Sequence, residues 1–94
     1  MVTGFRLLVT PGFERDVATV TKLTPALIPM IERLYDILET DPYNTKRQYA
    51  IRKLAGVKSG EGQWRIRSGK YRLRYDIKRN EVILYSFRHR KEAY

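Results

Sequence analysis

The sequence predicts an α+β fold: an N-terminal strand, an antiparallel two-helix hairpin, then an antiparallel meander of about three strands with the helices on one face. Three observations carry this prediction. Apolar residues recur with helical spacing between Phe13 and Leu38, and the spacing changes to strict alternation from Trp64 onward. Pro11, Pro25 and Pro42 stand at the starts and the stop of the helical stretches, and three glycines interrupt the segment between the two patterns. With 94 residues, 43% of them hydrophobic and 31% charged, the chain reads as one domain over 1–94, too short for two cores.

Each element has its own signal. Phe5, Leu7 and Val9 alternate up to Thr10-Pro11-Gly12, which reads as a first strand and its end. Thr10 is placed to cap a helix whose first residue is Pro11, a position with no amide partner to lose. Phe13, Val17 and Val20 form the apolar face of that helix. Thr24-Pro25 repeats the start signal, and Leu27, Ile31, Leu34 and Leu38 form a second stripe, widened by Ile28 and Tyr35. Asp41-Pro42 should end it, because the residue before a proline avoids helical geometry. The segment from Tyr43 to Gly62 lacks a clear period and reads as a connection carrying Ile51 and Leu54 into the core.

After it, Trp64 and Ile66 alternate with Arg65 and Arg67, and Ser68-Gly69-Lys70 makes a turn. Tyr71, Leu73, Tyr75 and Ile77 alternate with Arg72, Arg74, Asp76 and Lys78. Arg79-Asn80 is the next turn, Glu81 to Phe87 is the last strand, and Arg88 begins the tail. Glu61, Asp76, Glu81 and Glu92 are spaced as isolated carboxylates, suited to salt bridges rather than to a catalytic pair.

Composition excludes several function classes. No apolar run approaches the roughly 18 residues of a membrane span, and the N-terminal segment lacks a secretory pattern. The expectation is a cytoplasmic chain with no membrane partner. There is no cysteine and one histidine, so no disulfide, thiolate nucleophile or cysteine- or histidine-rich metal site is expected, and no cofactor. The net charge of +9 is unevenly spread. Residues 1–45 hold four basic and six acidic side chains, whereas residues 46–94 hold fifteen basic and four acidic. A positive field of that density favours a polyanionic or acidic partner.

Alternation decides which of these cations meet. Residues two apart in a strand share a face, so Arg65, Arg67, Arg72 and Arg74 should lie together, opposite the helices. Clustered guanidiniums repel one another, and solubility alone would be served as well by lysine and glutamate. Phosphodiester oxygens, which guanidinium grips in a bidentate fork, give the cluster a purpose. Arg52, Lys53, Lys70 and Arg74 are further candidates for contacting such a nucleic-acid backbone. Trp64, Tyr71 and Tyr75 alternate toward the core and read as packing.

The stretch WRIRSGKYRLRYDI, followed by EVILYSFRHRKEAY and preceded by KLAG, resembles the RelE/ParE superfamily of toxins from toxin–antitoxin systems. The resemblance covers nearly the whole chain in element order, and its specific part spans roughly residues 52–94. For the RelE branch it implies a metal-independent endoribonuclease, an mRNA interferase that cuts messenger RNA in the ribosomal A site. The 2′-hydroxyl attacks the adjacent phosphorus, leaving a 2′,3′-cyclic phosphate and a 5′-hydroxyl. It also implies a cognate antitoxin that binds through an acidic or amphipathic helical segment, forming a hetero-oligomer. By position the catalytic set corresponds to Arg65, Arg67, Arg72, Arg88 and Tyr94, with Arg90 as an alternative to Arg88.

One departure from the pattern matters. The usual first-strand pair is lysine, and arginine does not surrender its proton in proteins. Arg67 is therefore a poor general base. Three readings stay open: charge stabilisation alone, Tyr94 as base, or His89 as base or acid. Two other functions also stay open, a ParE-type gyrase poison and a non-catalytic basic module that binds RNA or the ribosome.

Overall fold

The computed structural model describes residues 4–91, and it builds them around a five-stranded sheet. Strand β1 (Arg6–Val9) leads into helix α1 (Pro11–Leu23). A 3₁₀ turn (Pro25–Leu27) joins it to helix α2 (Ile28–Thr40). Strands β2 (Ile51–Lys53), β3 (Trp64–Ser68), β4 (Tyr71–Lys78) and β5 (Glu81–His89) follow. The sheet order is β1-β5-β4-β3-β2, antiparallel except where β1 runs parallel to β5.

Local chemistry starts α1 where expected, whereas Thr24-Pro25 opens only the 3₁₀ turn, without a side-chain cap, and α2 begins at Ile28. Thr10 is extended, and its hydroxyl accepts from the Phe13 amide at 3.2 Å, satisfying one of the orphan donors of α1. The same hydroxyl donates to the Leu84 carbonyl at 2.9 Å, so the cap also ties the helix start to β5. At the far end of α2, Asp41 stops the helix. Its carboxylate accepts from the Thr45 and Lys46 amides and the Thr45 hydroxyl, holding the following loop.

The core lies between the helices and one sheet face. Phe13, Ile31, Leu34 and Leu38 meet Ile66, Leu73, Tyr75, Val82, Leu84 and Phe87, all buried. Burying a side chain of this size contributes about 1.5–3 kcal/mol. Tyr75 is fully enclosed, and its hydroxyl donates to the Pro42 carbonyl at 2.7 Å, which satisfies the one polar atom its burial would strand. Trp64 stacks on Tyr75, and Tyr71 on Phe87, both on the helix side.

Four further expectations need correction. The connection after Pro42 contains β2, which pairs antiparallel with β3 and forms the sheet edge. Its three residues are too few to show a period. Ile28 does not widen the buried stripe; it is exposed at the first residue of α2. Strand β5 continues through His89, so Arg88 and His89 belong to the sheet and not to a tail.

Asp76 is not a surface salt-bridge partner. It is buried and accepts from the Gly60 and Gln63 amides, at 2.5 and 2.6 Å, fastening the loop before β3 over that end of the sheet. Burial and the neighbouring Asp76, to which it is hydrogen-bonded, raise the pKa of the Tyr85 phenol. Glu81 does pair with a cation, Arg6.

Candidate functional site

The β3–β4 hairpin sets the register of the site. Its turn is two residues long, Gly69-Lys70, and Gly69 takes φ 57°, the left-handed region such a turn requires at its first position. That turn places Arg65 opposite Arg74 and Arg67 opposite Arg72. β2 adds Arg52 opposite Arg65, and β5 adds Arg88 opposite Arg72. Two rows therefore cross the face turned away from the helices. One runs Arg52–Arg65–Arg74–Ser86 and the other Arg67–Arg72–Arg88. Neighbours within a row are one strand spacing apart, about 4.8 Å.

Arg88 reaches this face through an irregularity. Arg74 pairs with Ser86 but Tyr75 pairs with Leu84, so Tyr85 is an extra residue in β5. Simple alternation from Val82 and Leu84 would turn Ser86 and Arg88 toward the helices. The bulge reverses the parity, so that Phe87 enters the core and Arg88 joins Arg72.

The candidate residues are not equivalent. Arg52 and Arg67 are exposed, and Arg65 and Arg72 are half-buried in the sheet face. Arg74 turns to the loop, donating from Nε and a terminal nitrogen to the Gly62 carbonyl at 3.1 and 2.9 Å. Arg88 Nε meets the Asp16 carboxylate at 3.4 Å. Asp16 also accepts from the Phe87 amide at 3.0 Å, beyond the point where β1 stops pairing. Asp16 and Gly62 went unread in the sequence. Asp16 carried a signal, since it stands three residues after Phe13 and four before Val20 and so shares the face of α1 that packs on β5.

Other candidates lie elsewhere. His89 pairs with Tyr71 on the helix-side face, edge-on to its ring at 5.4 Å, and its Nδ1 accepts from the Lys91 amide. Lys53 is opposite Trp64, with its ammonium 5.8 Å from the indole, also on the helix side. Lys70 is exposed in the hairpin turn, and the Arg90 amide closes onto its carbonyl at 2.7 Å. Tyr94 and Glu92 lie outside the described residues. Among the described residues no three His, Asp or Glu side chains gather as a metal site, and no helix is long and apolar enough to cross a membrane.

This arrangement of a small helical hairpin under an arginine-lined sheet has relatives. The sequence profile of the ParE toxin of type II toxin–antitoxin systems (parDE) matches residues 7–94. The chain belongs to the ParE toxin family. As a ParE-family chain of the RelE/ParE superfamily, it is the toxin of a type II toxin–antitoxin system.

Its fold is also similar to solved toxin–antitoxin structures. One is a chain of the RelBE2 complex from Mycobacterium tuberculosis: TM-score 0.69, 23% identity, covering 93% of this chain and 99% of that one. Another is a chain of the RelB–RelE complex from Methanococcus jannaschii: TM-score 0.65, 23% identity, covering 93% and 94%. No curated protein shows significant sequence similarity to this ParE-family toxin.

Proposed function

We propose that this toxin acts on RNA, as a metal-independent endoribonuclease that cleaves messenger RNA in the ribosomal A site and so stops translation. The observation that carries this reading is the register that brings Arg65, Arg67 and Arg72 together on one sheet face, with Arg52 and Arg88 flanking them. Arginines so placed grip non-bridging phosphate oxygens and stabilise the charge that grows on them as the 2′-hydroxyl attacks. The 2′-oxygen bonds to phosphorus, the bond to the 5′-oxygen breaks, and the 2′-proton is taken up while the leaving oxygen receives one. The arginines supply no base for that proton, so in this reading their part is positioning and charge stabilisation. His89, on the opposite face, does not share their surroundings, which leaves Tyr94 or solvent to carry the proton.

The same basic face suits a cognate antitoxin with an acidic, partly helical segment, in a hetero-oligomer within the cytoplasm. That the similar folds come from toxin–antitoxin complexes supports such a partner. A second reading, a gyrase poison, is favoured by the ParE profile and by the diversion of Arg74 and Arg88 to structural partners.

Primer-extension mapping of mRNA ends after induction, beside a supercoiling assay with purified gyrase, separates the two. Discrete new 5′ ends that vanish with Arg72→Ala are expected. Inhibited supercoiling with intact mRNA would replace the nuclease reading by the gyrase one.

A further inference from the structure

The arginine face does not end at the sheet edge. A hollow of about 170 Å³ on that face is lined by Arg52, Arg65, Arg67 and the start of β2. Ala50 and Arg67 also line a second hollow, of about 220 Å³, which lies around the edge between α2 and the end of β3. Its other polar walls are Arg33 from α2, Gln48 and Tyr49 from the loop, and Ser68. The volume is below the roughly 300–1,000 Å³ of pockets for drug-sized ligands, a size suited to a single planar ring.

The wall is held in place before anything binds. Asn44 pins Tyr49 by both backbone groups, donating to its carbonyl at 3.0 Å and accepting from its amide at 3.2 Å. Asn44 itself takes φ 57°, a conformation that asparagine tolerates. The Arg67 amide donates to the Ala50 carbonyl at 2.9 Å, which fixes the seam between the two hollows.

We propose that this second hollow is a nucleotide subsite, which takes the base next to the phosphate held on the arginine face. This rests on the RNA-directed reading and adds to it where the strand goes. Tyr49 and the Arg67 guanidinium offer flat surfaces for stacking, and Gln48 and Ser68 offer the donors and acceptors that read a base edge. Arg33, exposed on α2, takes the next phosphate. An acidic peptide would use the two arginines but has no need of a tyrosine ring beside an amide side chain.

The test is fluorescence anisotropy of the full chain with a short, mixed-sequence, fluorescein-labelled single-stranded RNA, over a range of salt concentrations. Tyr49→Ala should weaken binding roughly 5- to 100-fold with an unchanged salt slope, as expected for one lost base stack. Tyr49→Phe should restore it, and Gln48→Ala should weaken it. Arg33→Ala should reduce the salt slope by about one.

Arg72→Ala reports on the underlying reading. If it weakens binding while Tyr49→Ala and Gln48→Ala bind like wild type, the subsite is wrong and the arginine face stands. If folded wild-type protein binds no RNA, both fall. If the pocket variants lose only an acidic peptide, the pocket belongs to a protein partner and the subsite is again wrong. Should Tyr49→Ala fail to fold, 4-thiouridine crosslinking of wild type decides. A crosslink on the tryptic peptides Gln48–Arg52 or Ser68–Lys70 supports the subsite, and crosslinks on neither overturn it.

Discussion

Arg72 is flanked by Arg67 on β3 and Arg88 on β5, which gives it a cationic neighbour on either side. Arg72→Ala should lower single-turnover cleavage on programmed ribosomes by about 10²–10³ in protein that still folds. Wild-type rates would remove the arginine face from the chemistry. Arg67→Lys should keep or raise the rate, because lysine binds phosphate and is also able to accept a proton. Asp41 belongs to stability instead. Burial alone would raise its pKa, but hydrogen bonds from Thr45 and Lys46 and the Lys46 charge outweigh burial and lower it. A carboxylate with a lowered folded pKa stabilises fully above its ordinary value of 3.8, and loses that contribution as pH falls through the lower folded value. Urea titrations should therefore show Asp41→Asn destabilised by about 1–3 kcal/mol at pH 7, and the gap to wild type narrowing in acid.

Among the elements, the loop between β2 and β3 has the clearest dependence on single residues. Gly62 has φ 83°, and a Cβ there would stand 3.0 Å from the Arg74 Cβ. Its carbonyl is the acceptor for the Arg74 guanidinium. Gly62→Ala should cost at least about 1–2 kcal/mol through the left-handed backbone alone, read as a lower melting temperature. Arg74→Ala should act in the same direction, as loosening of this loop more than as a lost RNA contact. Deuterium exchange at Gly60 and Gln63, the amides held by Asp76, is the measurement; unchanged protection in Arg74→Ala would return Arg74 to the binding surface. Thr10→Ala removes both the cap of α1 and its tie to Leu84, and should cost about 1 kcal/mol.

For the whole molecule, the decisive quantity is the separation of charge from core. The helices and one sheet face enclose the apolar side chains, which leaves the opposite face free to concentrate arginine. RNA binding by such a face should weaken steeply with salt, and antitoxin binding less steeply if apolar contacts contribute. Cleavage should survive a chelator at concentrations that leave ribosomes intact, since no carboxylate cluster accompanies the arginines among the described residues. A strict requirement for added divalent metal would overturn the proposed chemistry.

The amino-acid sequence by itself determined the α+β class, the start of α1, the two hairpin turns and the common face of Arg65, Arg67, Arg72 and Arg74. These depend on neighbours a few residues apart, through capping, proline geometry and the period of two, and such signals are local. Tertiary structure alone decided where Arg88 and His89 point, because one extra residue in β5 inverts every side chain after it and leaves no mark in composition. It also decided that Arg74 serves Gly62, that Arg88 meets Asp16, and that Asp76 is buried under a loop. The partners of those groups are 12, 72, 16 and 13 positions away in sequence. Contacts at such separations follow from how the sheet edge and the loop close over the strands, which no local period encodes.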